Sequence, residues 1–345
     1  MLLKTECRGF RDLLLIALAC VVANTRAAAE NGMLAKAAPG QHGFVMRIDY
    51  HGWPDSIVLS NGVVEAVIVP AIGRVMQFRF AGAQEGPFWE NDQLRGMKPD
   101  PHSTDWANLG GDKAWPASQA NWPQIISRGW PPPRGFDGLP HEALIEGSAV
   151  ILVSPVDPDF GIRVRRRIEL QPGLPVMTTT TRYEKINGPP VETGVWVITQ
   201  AKDPVAVYAV LPETAHSAAG YVRQSDELPA NFKLEDNLIA LTRDPKKNHK
   251  IGTLAGTLVW VGRTELLRID SALVPGGKYP DDGSSAEIYT NLDPLAYVEL
   301  EILGPLTRMT IGDKIERLST YTLAHRTQND PAAEVKKLLE RQGGT

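Results

Sequence analysis

The sequence predicts an all-β sandwich closed by one short C-terminal helix. Three observations predict it. Short runs rich in β-branched residues recur along the chain, joined by Gly, Pro and Asp turns. Helix-period stretches between those runs are lacking, which counts against a barrel of alternating strands and helices. The one clear helical pattern comes last, after Asn329.

The elements follow in order. Residues 30–42 are a polar, Ala- and Gly-rich lead-in. Asn61-Gly62 between IVLS and VVEAVIVP is a hairpin signal, because both residues accept the positive φ of a tight turn. A turn at Ala71-Ile72-Gly73 leads into a strand from Arg74 to Phe80. Ala149 to Val153 and Ile162 to Leu170 read as an antiparallel pair across Pro155-Val156-Asp157-Pro158. Further strands are expected at Val176 to Tyr183, Val195 to Thr199, Val205 to Val210, Thr253 to Val261 and Glu265 to Asp270. The last are Glu287 to Thr290, Ala296 to Leu303 and Ile315 to Leu323. In the helix, Asn329 or Asp330 caps, Pro331 takes the first turn, Val335, Leu338 and Leu339 form the apolar stripe, and Gly343-Gly344 ends it. No short-period repeat and no clean linker interrupts the chain, so residues 30–345 are expected to form one domain.

The N-terminus reads as a secretory signal. Lys4, Arg8 and Arg11 precede a short apolar run from Leu13 to Val22, and Ala27-Ala28-Ala29 offers a small-residue cleavage site before Glu30. Residues 1–29 are then a signal peptide and the mature chain is periplasmic or secreted, with no membrane span. Cys7 and Cys20 are the only cysteines and both lie in that presequence, so the mature chain has no disulfide. With 345 residues and 43% hydrophobic content, the chain can bury a large core without staples. Its net charge of -4 and lack of zinc-finger spacing argue against a nucleic-acid partner. The basic run Arg163, Arg165, Arg166, Arg167 reads as a solvated sheet face.

The most distinctive stretch runs from His102 to His141. Trp106, Trp115, Trp122 and Trp130 sit there among Asp105, Asn108, Asp112, Lys113, Gln119, Arg134 and Asp137. Gly and Pro are too dense for a long helix. A rigid loop platform with flat aromatic faces and converging polar groups suits a sugar, whose rings stack and whose hydroxyls take the polar edge. The alternative is a large irregular loop whose indoles plug one end of a β-fold.

Three segments carry a family resemblance. Val63 to Phe80, VVEAVIVPAIGRVMQFRF, resembles the opening strands of the galactose mutarotase-like family. Asn108 to Pro116, NLGGDKAWP, resembles the Gly-Gly…Trp-Pro motif of its hexose-6-phosphate 1-epimerase branch. Arg134-Gly135-Phe136-Asp137-Gly138 falls where that branch carries His-Gly-Phe. The NLGGDKAWP and WPPP…DG blocks together resemble an often exported bacterial subgroup of mutarotase-like proteins. The resemblance covers roughly residues 43–323.

The resemblance implies a supersandwich of two large antiparallel sheets with an open sugar cleft. It also implies a glutamate base on a late strand and a histidine acid near mid-chain, straddling a hemiacetal within hydrogen-bond reach. Glu299 and Glu301 lie on one face of the strand Tyr297-Val298-Glu299-Leu300-Glu301 and match the base, with Glu299 preferred for its more apolar neighbours. The segment matching the histidine, Val191 to Gln200, contains none; Trp196 can stack there, and Thr199 and Gln200 can hydrogen-bond. His216 is the candidate substitute acid, with His141 or Tyr289 as further options, and His102 and His141 flank the tryptophan block. Arg74, Lys113, Arg134 and Asp137 are the remaining candidate sugar contacts. Asp281, Asp282 and Glu287, or Asp105 and Asp112, lack the spacing of a calcium loop, so no metal or cofactor is expected.

The expected function is carbohydrate binding on an aldose-epimerase-like scaffold, with small or oligomeric carbohydrate as the partner and a monomer or homodimer as the state. The alternative is a sugar 1-epimerase using Glu299 or Glu301 as base and a non-standard acid. A third reading is an accessory β-domain for cell-envelope contact.

Overall fold

The computed structural model describes residues 43–100, 105–126, 129–212 and 220–340. The presequence, His102, His216 and Gly343-Gly344 lie outside the described residues. In chain order the first strands are β1 (Phe44–Tyr50), β2 (Trp53–Ser60), β3 (Val64–Val69), β4 (Arg74–Phe80), β5 (Asp112–Ala117), β6 (Glu142–Glu146) and β7 (Ala149–Val153). Then come β8 (Ile162–Leu170), β9 (Val176–Lys185), β10 (Val191–Lys202), β11 (Ala206–Val210), β12 (Val222–Arg223), β13 (Lys233–Glu235) and β14 (Leu238–Leu241). The last are β15 (His249–Thr253), β16 (Thr257–Val261), β17 (Glu265–Asp270), β18 (Ala286–Thr290), β19 (Tyr297–Leu303), β20 (Thr307–Met309) and β21 (Lys314–His325).

These strands form two antiparallel sheets. The first has eleven strands in the order β1-β2-β3-β4-β5-β10-β19-β18-β15-β12, with β20 paired to β10. The second has ten, in the order β13-β14-β11-β16-β17-β21-β9-β8-β7-β6. Their facing residues form the main core, with Ile57, Phe78, Leu300 and Ile302 from one sheet and Val150, Leu152, Ile269 and Leu323 from the other. Each such side chain taken from water contributes about 1.5–3 kcal/mol, so burial across two long sheets replaces covalent cross-links.

The Asn61-Gly62 hairpin and the β7–β8 pair stand where the sequence predicts them. The C-terminal helix, Pro331–Glu340, also does: Asp330 accepts from the Ala332 N–H, and Val335 and Leu338 dock on Ala206, Val259 and Leu266 of the second sheet. The expected strand Thr253 to Val261 is instead two strands in different sheets, β15 and β16. Between them the Ala255 N–H turns aside to Ser285 Oγ, and the chain crosses from one layer to the other.

Two readings of polar residues are corrected. Arg166 does not belong to a solvated face: β8 alternates, and Arg166 shares its inward side with Ile162, Val164 and Ile168. Asp112, expected to meet ligand, also points between the sheets and is fully buried. Its carboxylate pairs with Arg166 and accepts from Thr199 Oγ1 and Tyr321 Oη, each at 2.7 Å. This network ties the two layers together.

Candidate functional site

The tryptophan block is not all loop. Its segment DKAWPA is β5, a central strand of the first sheet paired with β10. The Gly110-Gly111 turn leads into it with φ of 93° and 73°; a Cβ on Gly110 would lie 2.3 Å from the Trp89 carbonyl, so only glycine fits. Alternation then sends Asp112 inward and Lys113 and Trp115 to the opposite, outward face.

On that outward face the neighbouring strands add a polar row. Register pairs Trp196 with Trp115 and Leu303, Ile198 with Lys113 and Glu301, and Gln200 with Glu299. Glu301 is paired with Glu287, Glu299 with Tyr289, and Tyr289 with Lys250. Strands distant in sequence thus bring together three glutamates, two lysines and two indoles.

Each group is held. Trp196 Nε1–H donates to Glu301 Oε2 at 2.7 Å, and Lys250 Nζ donates to the same oxygen at 3.1 Å. Lys250 Nζ also lies 2.7 Å from Glu287 Oε2 and 5.0 Å above the Trp196 ring. Gln224 Nε2 donates to Glu287 Oε1 at 2.6 Å. One row along, Gln200 Nε2 donates to Glu299 Oε1 at 2.8 Å, and Lys113 Nζ stands 3.5 Å from that oxygen. Two buried acceptors, Glu301 Oε1 and Gln200 Oε1, have no partner among the described residues.

The electrostatics follow from burial and like charge. Burial pushes the Glu301 carboxyl well above its ordinary range; Lys250 opposes that, and Glu287 and Glu299 add to it. Burial likewise lowers Lys113, with Glu299 pulling the other way. Tyr289, offered as an acid, is pushed up to about 12 by burial and by Glu299 and Glu301, and its hydroxyl donates to Asn291. A phenol so placed stays protonated near neutrality, with its proton directed at Asn291.

Two hollows open here. The first, about 490 Å³, is lined by Trp196, Lys250, Gln224, Asp281, Asp282 and Gln119, among others. The second, about 500 Å³, is lined by Trp106, Asn108, Arg134, Asp137 and Leu295, among others. The sequence-derived candidates therefore divide. Trp196 lines the first hollow, with Glu301 bonded to it, while Trp106, Asn108, Arg134 and Asp137 line the second.

Several candidates are locked by one another. Arg74 Nη2 donates to Asp137 Oδ1 at 2.6 Å, and Trp106 and Trp115 both donate to Asp137 Oδ2 at 2.9 Å. Burial works to raise Asp137, but Arg74 and Lys113 prevail and hold its carboxyl below the usual range. Arg74 also donates to the Gly110 carbonyl, so its visible role is to fix the block against β4. Trp122, expected as a platform, is fully buried with its N–H on the Pro116 carbonyl. Trp115 and Trp196 are nearly as deep, and Trp130 alone of the five clustered indoles is openly exposed, at 45%. The open aromatic platform is thus reduced to Trp130 and the part-exposed edge of Trp106.

Among the described residues no histidine lines either hollow. His141 is packed behind the Gly73 turn. Glu287, grouped in the sequence with Asp281 and Asp282, is a buried strand residue of the cluster. Lys250 and Gln224 were missed; the signal for Lys250 was the alternation of β15, where His249 and Ile251 are buried around it. Among the described residues no three His, Cys, Asp or Glu side chains are grouped to hold a metal ion.

No protein-family model matches the chain, and no curated protein does. Solved structures share its architecture. One is a putative aldose 1-epimerase from Klebsiella pneumoniae, 10% identical, with a TM-score of 0.56 over 88% of this chain and 92% of that one. A putative mutarotase from Salmonella typhimurium is 13% identical, with a TM-score of 0.54 over 82% and 94%. A galactose mutarotase-like protein from Lactobacillus casei is 10% identical, with a TM-score of 0.54 over 78% and 100%. At such identities the likeness is one of fold: the chain has the two-sheet architecture of galactose mutarotase-like proteins.

Proposed function

We propose that the chain binds a carbohydrate on the outward face of β5, β10, β19, β18 and β15. The observation that carries this reading is the pair of buried, unpartnered acceptors, Glu301 Oε1, on the carboxyl that Trp196 Nε1–H also meets, and Gln200 Oε1, on the amide bonded to Glu299. A buried acceptor without a donor costs about 1–3 kcal/mol, and sugar hydroxyls are donors of the kind that removes that cost. Lysine and glutamine side chains already fix the carboxylates, so little ordering is left for the ligand to impose.

Calorimetric titration with a panel of neutral mono- and oligosaccharides tests this. Glu301→Gln and Glu299→Gln should each weaken binding roughly tenfold, as expected for the loss of one buried hydrogen bond, while leaving the fold intact by thermal melting. Unchanged affinity in both variants would remove this face from the site.

A second reading is turnover. Its specific support is that Glu301 is held toward its protonated form, as a proton donor must be, and that a second carboxyl, Glu299, shares the same strand face. Trp196, in the segment aligned with the family histidine, cannot serve as that acid. Anomer exchange followed by NMR separates binding from catalysis, and Glu301→Gln should abolish any exchange.

Export to the periplasm or beyond is part of this proposal and rests on the N-terminal sequence pattern. Among the described residues no helix is long and apolar enough to cross a membrane. N-terminal sequencing of the mature protein should begin at or near Glu30. His216 remains an alternative proton donor, outside the described residues.

A further inference from the structure

Away from the sugar face, the interior between the sheets holds a second buried arginine. β9 lies between β8 and β21, and Thr181 is the register partner of both Arg166 and Arg317. Both arginines face inward, and Arg317 is only 6% exposed. Their treatment differs. Arg166 is neutralised by Asp112. Arg317 has no carboxylate within ion-pair reach among the described residues, and its one noted hydrogen-bond partner is the Tyr279 phenol, which brings no formal charge. That phenol oxygen already accepts the Val274 N–H at 2.8 Å.

The unmet atoms are informative. Arg317 Nε and Nη2, both buried, donate to nothing among the described residues. Together they form the side-on edge of the guanidinium, whose two N–H bonds point the same way and suit an anion. The next row of the same inward face places Ser319 opposite Thr179, and the hydroxyls of both are buried and also without partners. An arginine keeps its charge at any physiological pH, and an uncompensated buried charge costs several kcal/mol. Two unpartnered hydroxyls and one cationic fork on one buried face, with no carboxylate paired to the fork among the described residues, are a donor set short of an anion.

We propose that a small monovalent anion, of the size and chemistry of chloride, binds between the sheets against the Nε–Nη2 edge of Arg317, with Ser319 and Thr179 as hydroxyl donors. It stands in for the aspartate that Arg166 has and Arg317 lacks. The site is independent of the carbohydrate reading.

Thermal melting of the full chain in sodium chloride or bromide, against the sodium salt of a bulky sulfonate at equal ionic strength, tests it. The midpoint should rise in the halides, by roughly 5 °C once the anion exceeds its dissociation constant a hundredfold. Arg317→Met should melt alike in both salts. Ser319→Ala/Thr179→Val keeps the charge and should need more halide for the same rise, which covers the case of an Arg317 variant that does not fold. Crystals grown in bromide should show an anomalous peak at the Arg317 edge. Equal midpoints for the unaltered protein, an unchanged halide response in the variants, or ordered water alone at that edge would overturn the proposal.

Discussion

Replacing Asp112 with alanine should cost the fold about 3–5 kcal/mol, read as a lower urea midpoint. The carboxylate is the shared acceptor of Arg166, Thr199 and Tyr321, all buried. Its removal strands a guanidinium and two hydroxyls between the sheets, and breaking a buried pair is far more damaging than never having built it. Asp112→Leu combined with Arg166→Met should therefore recover most of the loss, because an apolar pair of similar volume needs no hydrogen bonds. The combined variant also separates two roles. If Asp112 met ligand, sugar affinity would fall in it while stability returned; the geometry predicts affinity close to that of the unaltered chain.

Asp112 also shows what the sequence could and could not disclose. The alternation of β8, with Ile162, Val164, Ile168 and Leu170 buried, already sends Arg166 inward. The run Arg163, Arg165, Arg166, Arg167 masks it, because four charges within five residues suggest a solvated face. In the tryptophan block, Pro116 and the paired glycines suggested irregular loop, yet Pro116 lies within a central strand, opposite Val195. Once that segment is a strand, period two decides that Asp112 and Lys113 face opposite ways. The faces of Glu299 and Glu301 were legible for the same reason: both stand on one strand. Their partners were not. Lys250, Gln224 and Glu287 reach them through the pairings β19–β18 and β18–β15 and the bond from Gln224 to Glu287, and no local pattern states which strands become neighbours. The indoles were recognised as a cluster, but whether a tryptophan stacks on ligand or fills a core depends on what covers it, as Trp122 demonstrates.

His141 should make the fold acid-sensitive in a defined window. Its ring lies against the Gly73 turn, where a Cβ would be 2.3 Å from Nδ1, and its Nδ1 is 3.1 Å from the Leu139 carbonyl. Burial lowers its pKa from 6.5 to about 4; the Leu139 carbonyl and Asp137 oppose that, and Arg166 reinforces it. A depressed value means that the unfolded chain binds the proton more readily than the folded one. The contribution of the neutral ring is therefore fully present above pH 6.5, declines as pH falls through 6.5, and is gone below about 4. A displacement of that size corresponds to roughly 3 kcal/mol. Glutamine at this position keeps a donor for the Leu139 carbonyl and cannot titrate. Urea denaturation of the unaltered chain and His141→Gln at several pH values should give curves that run parallel above 6.5 and converge toward 4, as carboxylates elsewhere affect both alike. A constant gap between the two across that range would mean that His141 takes up its proton as readily in the fold as in the unfolded chain, and that its packing against Gly73 does not exclude the charge.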